Sequence, residues 1–292
     1  MLGIDVSTLQ GVIDWEKVYK DGVRFAMIKA TQGRGEGIAT KHLKRFTDGK
    51  FKANIEGALK TGLAVGAYHY FTATTVADAQ SEAAYFCNAL APYKDKMVLW
   101  ACVDVESKYL DGLNSDELLK VVRAFMDIVK GCGFKPIVYT NPNFLKYRFP
   151  EGAFDKDEIW LAHWGVKSPM PVPNMRMWQY GEERIDGIKG KVDANKGYFP
   201  EVIPAICRLA AKGVINSPTY WLAHYGDIEY LDELIINAAE KITKADEPFA
   251  DIDIALVRLK DAGVMNTPEY WRKNAGKVKW LTELILKLGG AV

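Results

Sequence analysis

The stretch WACVDVES, Trp100 to Ser107, ends an apolar run with two carboxylates, Asp104 and Glu106. Successive side chains of a strand alternate in direction, so residues two apart share a face. That spacing sets the pair ~6–7 Å apart along the backbone. Like charges held close in a partly dry site raise one pKa, which keeps a proton available near neutral pH for general acid catalysis. Facing open water, the same pair is only a solvated strand end. Two further acids tip the balance towards chemistry: Asp5 in GIDVS and Asp193 in KVDAN, each in a short apolar segment. Polar and aromatic residues recur where other apolar segments run out: Lys29, His69, Tyr70, Tyr139, Trp164, Trp178, Gln179 and Tyr180. Four carboxylates without a nucleophilic cysteine, a serine triad or a phosphate loop favour glycosidic bond chemistry. The aromatics offer flat apolar faces to a sugar ring, with core packing as the competing role for each.

Other chemistries find less support. The cysteines Cys87, Cys102, Cys132 and Cys207 form no Cys-x-x-Cys pair, so reduced thiols are expected rather than a disulfide framework or a zinc site. The histidines 42, 69, 163 and 224 are scattered, and zinc would have to recruit Asp5 or Asp104. The segment GRGEG at 33–37 lacks the Gly-Lys-Ser/Thr ending of a phosphate-binding loop. No metal and no cofactor are therefore expected. With a net charge of +1 over 292 residues, capture of nucleic acid or anionic lipid is not expected either. No apolar run approaches the ~20 residues that span a bilayer, so no membrane insertion is expected. The N-terminus MLGIDVS has neither a basic nor a hydrophobic leader region. Synthesis in a cytoplasm without a signal peptide, with release through another factor, is the expectation.

The elements that must position these residues are short strands alternating with amphipathic helices over 1–199. Strands are predicted at LGIDVS, RFAMIKAT, GLAVGAYHYF, VLWACVDVE, KPIVYTN, EIWLAHW, MRMWQY and GKVDANKGYF. Helices are predicted at DWEKVYKDG, stopping at Gly22, and over 53–61. The strongest helical pattern is NSDELLKVVRAFMDIVKGCG. There Asn114 or Ser115 can cap the helix, with Glu117 three residues after Asn114 as a capping box requires. Leu118, Leu119, Val122, Phe125, Met126 and Val129 form the apolar stripe, and Gly131 supplies a left-handed stop. Eight strands with intervening helices predict an α/β fold, a β/α (TIM-like) barrel, with the site at the strands' C-terminal ends. The helices thin out after residue 150, so the barrel is expected to be irregular; its last gaps are short for parallel crossovers.

Residues 200–292 read as a separate, small all-α domain. Segment 209–235 aligns without gaps to 259–285 at an offset of 50, sharing Gly-Val-x-Asn-Ser/Thr-Pro-x-Tyr-Trp and later Leu-x-Glu-Leu-Ile. Two repeats, about 205–243 and 254–292, are each predicted to form helix, turn, helix, helix. Ser217 and Thr267 act as N-caps, with Pro218 and Pro268 in the first helical position. Tyr220, Trp221, Tyr270 and Trp271 are candidate ligand contacts, with the repeat core as the competing role. Homo-oligomerisation through these helices is the alternative function.

The series GIDVS, IKATQG, GAYHYF, VDVE, WQY and GIKGKVDANKGYF runs in order along residues 2–199. As a set it resembles glycoside hydrolase family 25, the N-acetylmuramidases (lysozymes) of phage endolysins and bacterial autolysins. The resemblance implies an irregular β/α barrel with an acidic groove. It implies hydrolysis of the β-1,4 bond between N-acetylmuramic acid and N-acetylglucosamine, with bacterial cell-wall peptidoglycan as the partner. The motif-matched carboxylates are Asp5, Asp104, Glu106 and Asp193. Glu106 is read as the general acid. The nucleophile is open between a second carboxylate in a retaining scheme, water in an inverting one, and the sugar's own N-acetyl oxygen. The Asp-x-Glu pattern favours the last, substrate-assisted route, with Asp104 orienting the acetamide and net retention. A chitin-type glycosidase is the alternative, since an Asp-x-Glu strand end serves there too. Wall hydrolases often carry repeated targeting modules, which implies cell-wall binding for 200–292. Gln32 departs from the family pattern, which often has Glu there.

Overall fold

A computed structural model of the chain describes residues 1–35, 43–224, 231–246, 248–249, 251–274 and 281–292. His42, the last two residues of the GRGEG loop and the repeat positions 225–230 and 275–280 lie outside the described residues. The chain divides into two compact units, Met1–Ala58 with Val65–Phe199, and Leu59–Ala64 with Pro200–Val292.

The first unit is built on strands β1 (Leu2–Val6), β2 (Phe25–Gln32), β3 (Phe46–Thr47), β4 (Ala64–Tyr70), β5 (Ala101–Asp104), β6 (Pro136–Thr140), β7 (Ile159–Ala162), β8 (Met175–Glu183) and β9 (Val192–Gly197). Eight of them close a ring in the order β1-β9-β8-β7-β6-β5-β4-β2, and β2 returns to β1. The two-residue β3, which the apolar pattern does not reveal, pairs with β2 outside the ring. β4 to β8 are parallel in sequence, but β9 runs antiparallel to both β8 and β1. This inversion is the irregularity of the barrel. The connection from β7 to β8 is parallel even though residues 163–174 contain no helix. A dozen residues of extended chain suffice for that crossover.

Helices α1 (Trp15–Lys20), α2 (Phe51–Thr61), α3 (Val76–Leu90), α4 (Ser115–Gly131) and α5 (Pro142–Tyr147) fill the earlier connections. The Asn114 side chain accepts from the Glu117 backbone and the Glu117 carboxylate accepts from the Asn114 N–H, so α4 starts with a reciprocal cap. Its buried stripe is Leu118, Val121, Val122, Phe125, Met126 and Val129. Val121 is buried while Leu119 is half-buried, so the stripe extends on the flank opposite the one expected. The left-handed turn after α4 falls on Gly133 (φ 81°), not Gly131, because Gly131 is still helical and Cys132 is the cap.

In the second unit α6 (Val202–Ala211), α7 (Pro218–His224) and α8 (Leu231–Thr243) recur as α9 (Ile252–Asp261), α10 (Pro268–Asn274) and α11 (Leu281–Ala291). The Tyr220 backbone N–H bonds the Ser217 hydroxyl at the start of α7. Ile206, Leu209, Leu234, Ile235, Leu256, Leu259, Ile285 and other apolar residues of both repeats form one buried core. Neither repeat has a helix layer thick enough to bury its own apolar face, which is why the two share it. All four cysteines are free thiols.

Candidate active site at the barrel mouth

The site is assembled by strand register. On β4, β5 and β6, Tyr70, Asp104 and Tyr139 are direct partners and so lie at one level. Across the closure, Asp5 of β1 pairs with Asp193 of β9, and Asn195 of β9 pairs with Gln179 of β8. Because β9 is inverted, Asp193 near its start reaches the mouth that the other strands reach at their ends. β5 stops at Asp104, and the chain continues extended so that Glu106 stands at the open edge.

Asp5 is buried and held by amides. The Gln179 Nε2 donates to its Oδ2 at 2.9 Å and the Asn195 Nδ2 donates to the same oxygen at 2.8 Å. Each amide is itself fixed from behind. Gln179 Oε1 accepts from the Tyr139 hydroxyl (3.1 Å) and from Trp164 Nε1 (2.9 Å), while Asn195 Oδ1 accepts from Trp160 Nε1 (2.7 Å). With both oxygens occupied by donors, only the NH₂ groups can point at Asp5. Gln179 is therefore a hub between the aromatic wall and Asp5. Asn195 plays the same part; it lies two residues from Asp193 and so shares its strand face, the one signal in the sequence that points to it.

All four carboxyls are raised, first by burial and then by neighbouring acids. Burial, then the Asp193 charge, push Asp5 up to about 8, against the hydrogen bonds from Gln179 and Asn195. Asp104 is driven well above the usual carboxylate range, first by burial and then by Glu106, with Lys29 opposing. Desolvation by the surrounding walls, and then Asp193, raise Glu106, with the Tyr139 hydroxyl within hydrogen-bonding reach and Lys29 opposing. Asp193 is raised by desolvation and by Glu182, and it shares a hydrogen bond with Asp5. The mouth thus retains protons at neutral pH that isolated carboxyls would have lost. Asp104 adds a second anomaly: its Oδ1 is buried and has no hydrogen-bond partner. An orphaned buried acceptor costs ~1–3 kcal/mol. The fold tolerates that cost beside Glu106, in the place where a ligand donor would relieve it.

Of the other expected contacts, Lys29 and Tyr70 lie together at the mouth, with the Lys29 ammonium 5.2 Å from the Tyr70 ring centroid. Trp164 lies in the loop after β7 and is half exposed, its indole N–H turned inward to Gln179. Tyr139 and Gln179 are buried in the wall. His69 corrects the expectation. It is fully buried, with Nδ1 2.7 Å from the Thr31 hydroxyl and Nε2 2.8 Å from Glu82 on α3. Strand alternation explains this, since His69 and its neighbour Tyr70 must point to opposite faces of β4. In the second unit the four aromatics divide. Tyr220 and Tyr270 are 44% and 39% exposed, whereas Trp271 is 8% exposed within the core and Trp221 packs against it. Trp271 is thereby corrected from ligand contact to core. Among the described residues no group of three or more His, Cys, Asp or Glu side chains is placed to hold a metal ion. No described helix is long and apolar enough to cross a membrane.

Comparison with known proteins agrees with this geometry. The sequence profile of Glycosyl hydrolases family 25 matches residues 4–188. The chain is similar to Lysozyme M1 of Streptomyces globisporus, 31% identical over 208 residues, covering 66% of this chain and 66% of that protein. It is also similar to the Autolytic lysozyme of Clostridium acetobutylicum, 31% identical over 197 residues, covering 67% of this chain and 55% of the other. The chain thus matches just under two thirds of the first curated relative's length and about half of the second's. Among solved structures, the bacterial lysozyme from Streptomyces coelicolor superimposes with a TM-score of 0.55 at 27% identity, covering 68% of this chain and 92% of that one.

Proposed function

Since the chain belongs to glycosyl hydrolase family 25, we propose that it is a lysozyme of the N-acetylmuramidase type. It hydrolyses the β-1,4 bond between N-acetylmuramic acid and N-acetylglucosamine in bacterial peptidoglycan. The observation that carries this reading is the buried, unpartnered Oδ1 of Asp104 beside the raised carboxyl of Glu106.

In this reading Glu106, whose carboxyl burial and Asp193 push upward, gives a proton to the leaving glycosidic oxygen. The acetamide oxygen of the sugar attacks the anomeric carbon from the opposite side. Its N–H supplies the donor that Asp104 Oδ1 lacks, which aligns the acetamide and builds up its nucleophilicity. Lys29 helps Asp104 ionise as that hydrogen bond forms. Glu106, now a carboxylate, takes a proton from water, whose hydroxide opens the cyclic intermediate with net retention. Asp5, locked by Gln179 and Asn195, presents Asp193 to the mouth and tunes the cluster's protonation. The exposed tyrosines Tyr220 and Tyr270, at the same place in each repeat, support wall binding by the second unit.

One experiment covers both parts. Purified full-length protein is incubated with cell walls and its products are analysed by mass. New reducing ends on muramic acid are expected; ends on glucosamine would favour the chitin-type alternative. Glu106→Gln is expected to lower turnover by about 10³-fold, the scale of a lost general acid, while still sedimenting with the walls. Normal lysis by a folded Glu106→Gln protein overturns the catalytic reading, and failure to sediment overturns wall binding.

A further inference from the structure

The mouth is not acidic all round. On the side formed by β2, β4 and the segment after β5, a cavity of about 470 Å³ is lined by Lys29, Gln32, Tyr70, Lys108 and Tyr109. Two of its five lining residues are cations and none is an acid. The Lys29 ammonium is largely withdrawn from water. It donates a 2.8 Å hydrogen bond to the neutral Gln32 Oε1. A glutamate at position 32 would neutralise it; this chain has the amide. Asp104, Asp48 and Glu106 act on Lys29 through space without an ion-pair contact, and Asp48 already accepts from the Thr8 and Lys50 backbone N–H groups. Lys108 stands at the solvent edge, its ammonium 5.8 Å from the Tyr109 ring centroid. Among the described residues no carboxylate forms an ion pair with either lysine.

Two cations without ion-pair partners, flanked by two aromatic rings, make a poor place for another cation and a good one for a carboxylate. Lys108 is two residues beyond Glu106, so a group held here belongs to a sugar bound at the acid. Resting on the lysozyme reading above, we propose that this cavity is a carboxylate subsite. It takes an acid carried by the substituent of the muramic acid ring and so selects wall glycan over a neutral glycan. Two sources share that chemistry: the lactyl acid of a ring without peptide, and a carboxylate of the stem peptide. An ammonium-to-carboxylate contact at a half-wet rim supplies about tenfold in selectivity.

The test uses soluble wall oligomers in three forms: peptide-bearing with free carboxylates, the same with carboxylates converted to amides, and peptide-free with the lactyl acid left. Full-length protein is expected to show a kcat/KM about tenfold higher on whichever of the two acid-bearing forms carries the recognised group than on the amidated peptide-bearing form. Lys108→Met, a change at an exposed position, is expected to bring that ratio to about one, mainly through KM. If the lactyl acid is the group recognised, only the peptide-free form, whose lactyl acid is not tied up in the amide bond to the peptide, stands above the amidated form; if a stem-peptide carboxylate is, only the free peptide-bearing form does. A wild-type ratio near one, or an equal ratio in Lys108→Met, overturns the subsite. Absence of cleavage on all three forms would overturn the lysozyme reading itself, and the subsite with it.

Discussion

His69 on β4 pairs in register with Val103, the residue before Asp104 on β5. Both polar side chains are shut away from bulk water, but they keep different company. His69 has a partner on each ring nitrogen, and its partner Glu82 is saturated in turn. The Thr72 hydroxyl donates to Glu82 Oε1 at 2.7 Å and the Thr72 backbone N–H donates to Oε2 at 3.1 Å. Asp104 has the acids Glu106 and Asp5 for neighbours, with Lys29 alone opposing them, and one oxygen with no partner. A buried polar group that serves the fold is paired, because the low dielectric punishes anything less. A buried group left unpaired among like charges persists only where the surrounding structure forces it and a ligand relieves it. By this criterion, the outer cluster is architecture and the inner one is machinery.

The sharpest way to break that contrast is Asp104→Asn. If Asp104 is machinery, kcat on peptidoglycan falls by about 10³-fold, the scale of one lost electrostatic contact to a reacting group. Thermal unfolding is expected at an unchanged or higher temperature, since a raised carboxyl has been removed. Unchanged kcat with a lowered melting temperature would move Asp104 to the architectural side.

His69→Ala is the mirror experiment. It strands the Glu82 carboxylate in a dry site, which costs ~3 kcal/mol of stability, read from the urea midpoint. The kcat of the molecules that remain folded is expected to stay within about twofold, because no atom of His69 faces the mouth. A catalytic loss without a stability loss would return His69 to the substrate contacts.

The same contrast shows what could be read from the chain alone. The two-residue step from Asp104 to Glu106 needs only strand periodicity, and it placed both carboxyls at one mouth. That periodicity, applied to Asp193, also reaches Asn195; applied to Tyr70, it excludes His69. What periodicity cannot supply is strand direction. The inversion of β9 brings Asp193 to the mouth from the start of its strand, and no local pattern in KVDANKG distinguishes the two senses. The fate of the repeat aromatics was equally hidden. Tyr220 and Tyr270 stay outside while Trp271 is buried because two repeats pool one core, a tertiary fact that a single repeat does not carry. The capping box of α4 was legible because its bonds are local, whereas its stop at Gly133 depends on how many turns the helix completes before the chain must leave for β6.

Asp5 lies between the two classes and sharpens the line between them. It is well bonded, as an architectural group is, yet its pKa stands at about 8 against 3.8 for an unperturbed aspartate. From about pH 4 to 8 the folded protein keeps this proton while the unfolded chain releases it. Folding then takes up a proton, so stability falls as pH rises through that window and the loss is complete above pH 8. Asp5→Asn removes the titration. At pH 8 the variant is expected to be more stable than the parent by ~2 kcal/mol, and near pH 4, where both carry a neutral side chain, the two should unfold together. Urea midpoints at the two pH values check this. A difference that does not depend on pH would mean that Asp5 is an ordinary ionised carboxylate, held by Gln179 and Asn195 for the fold alone.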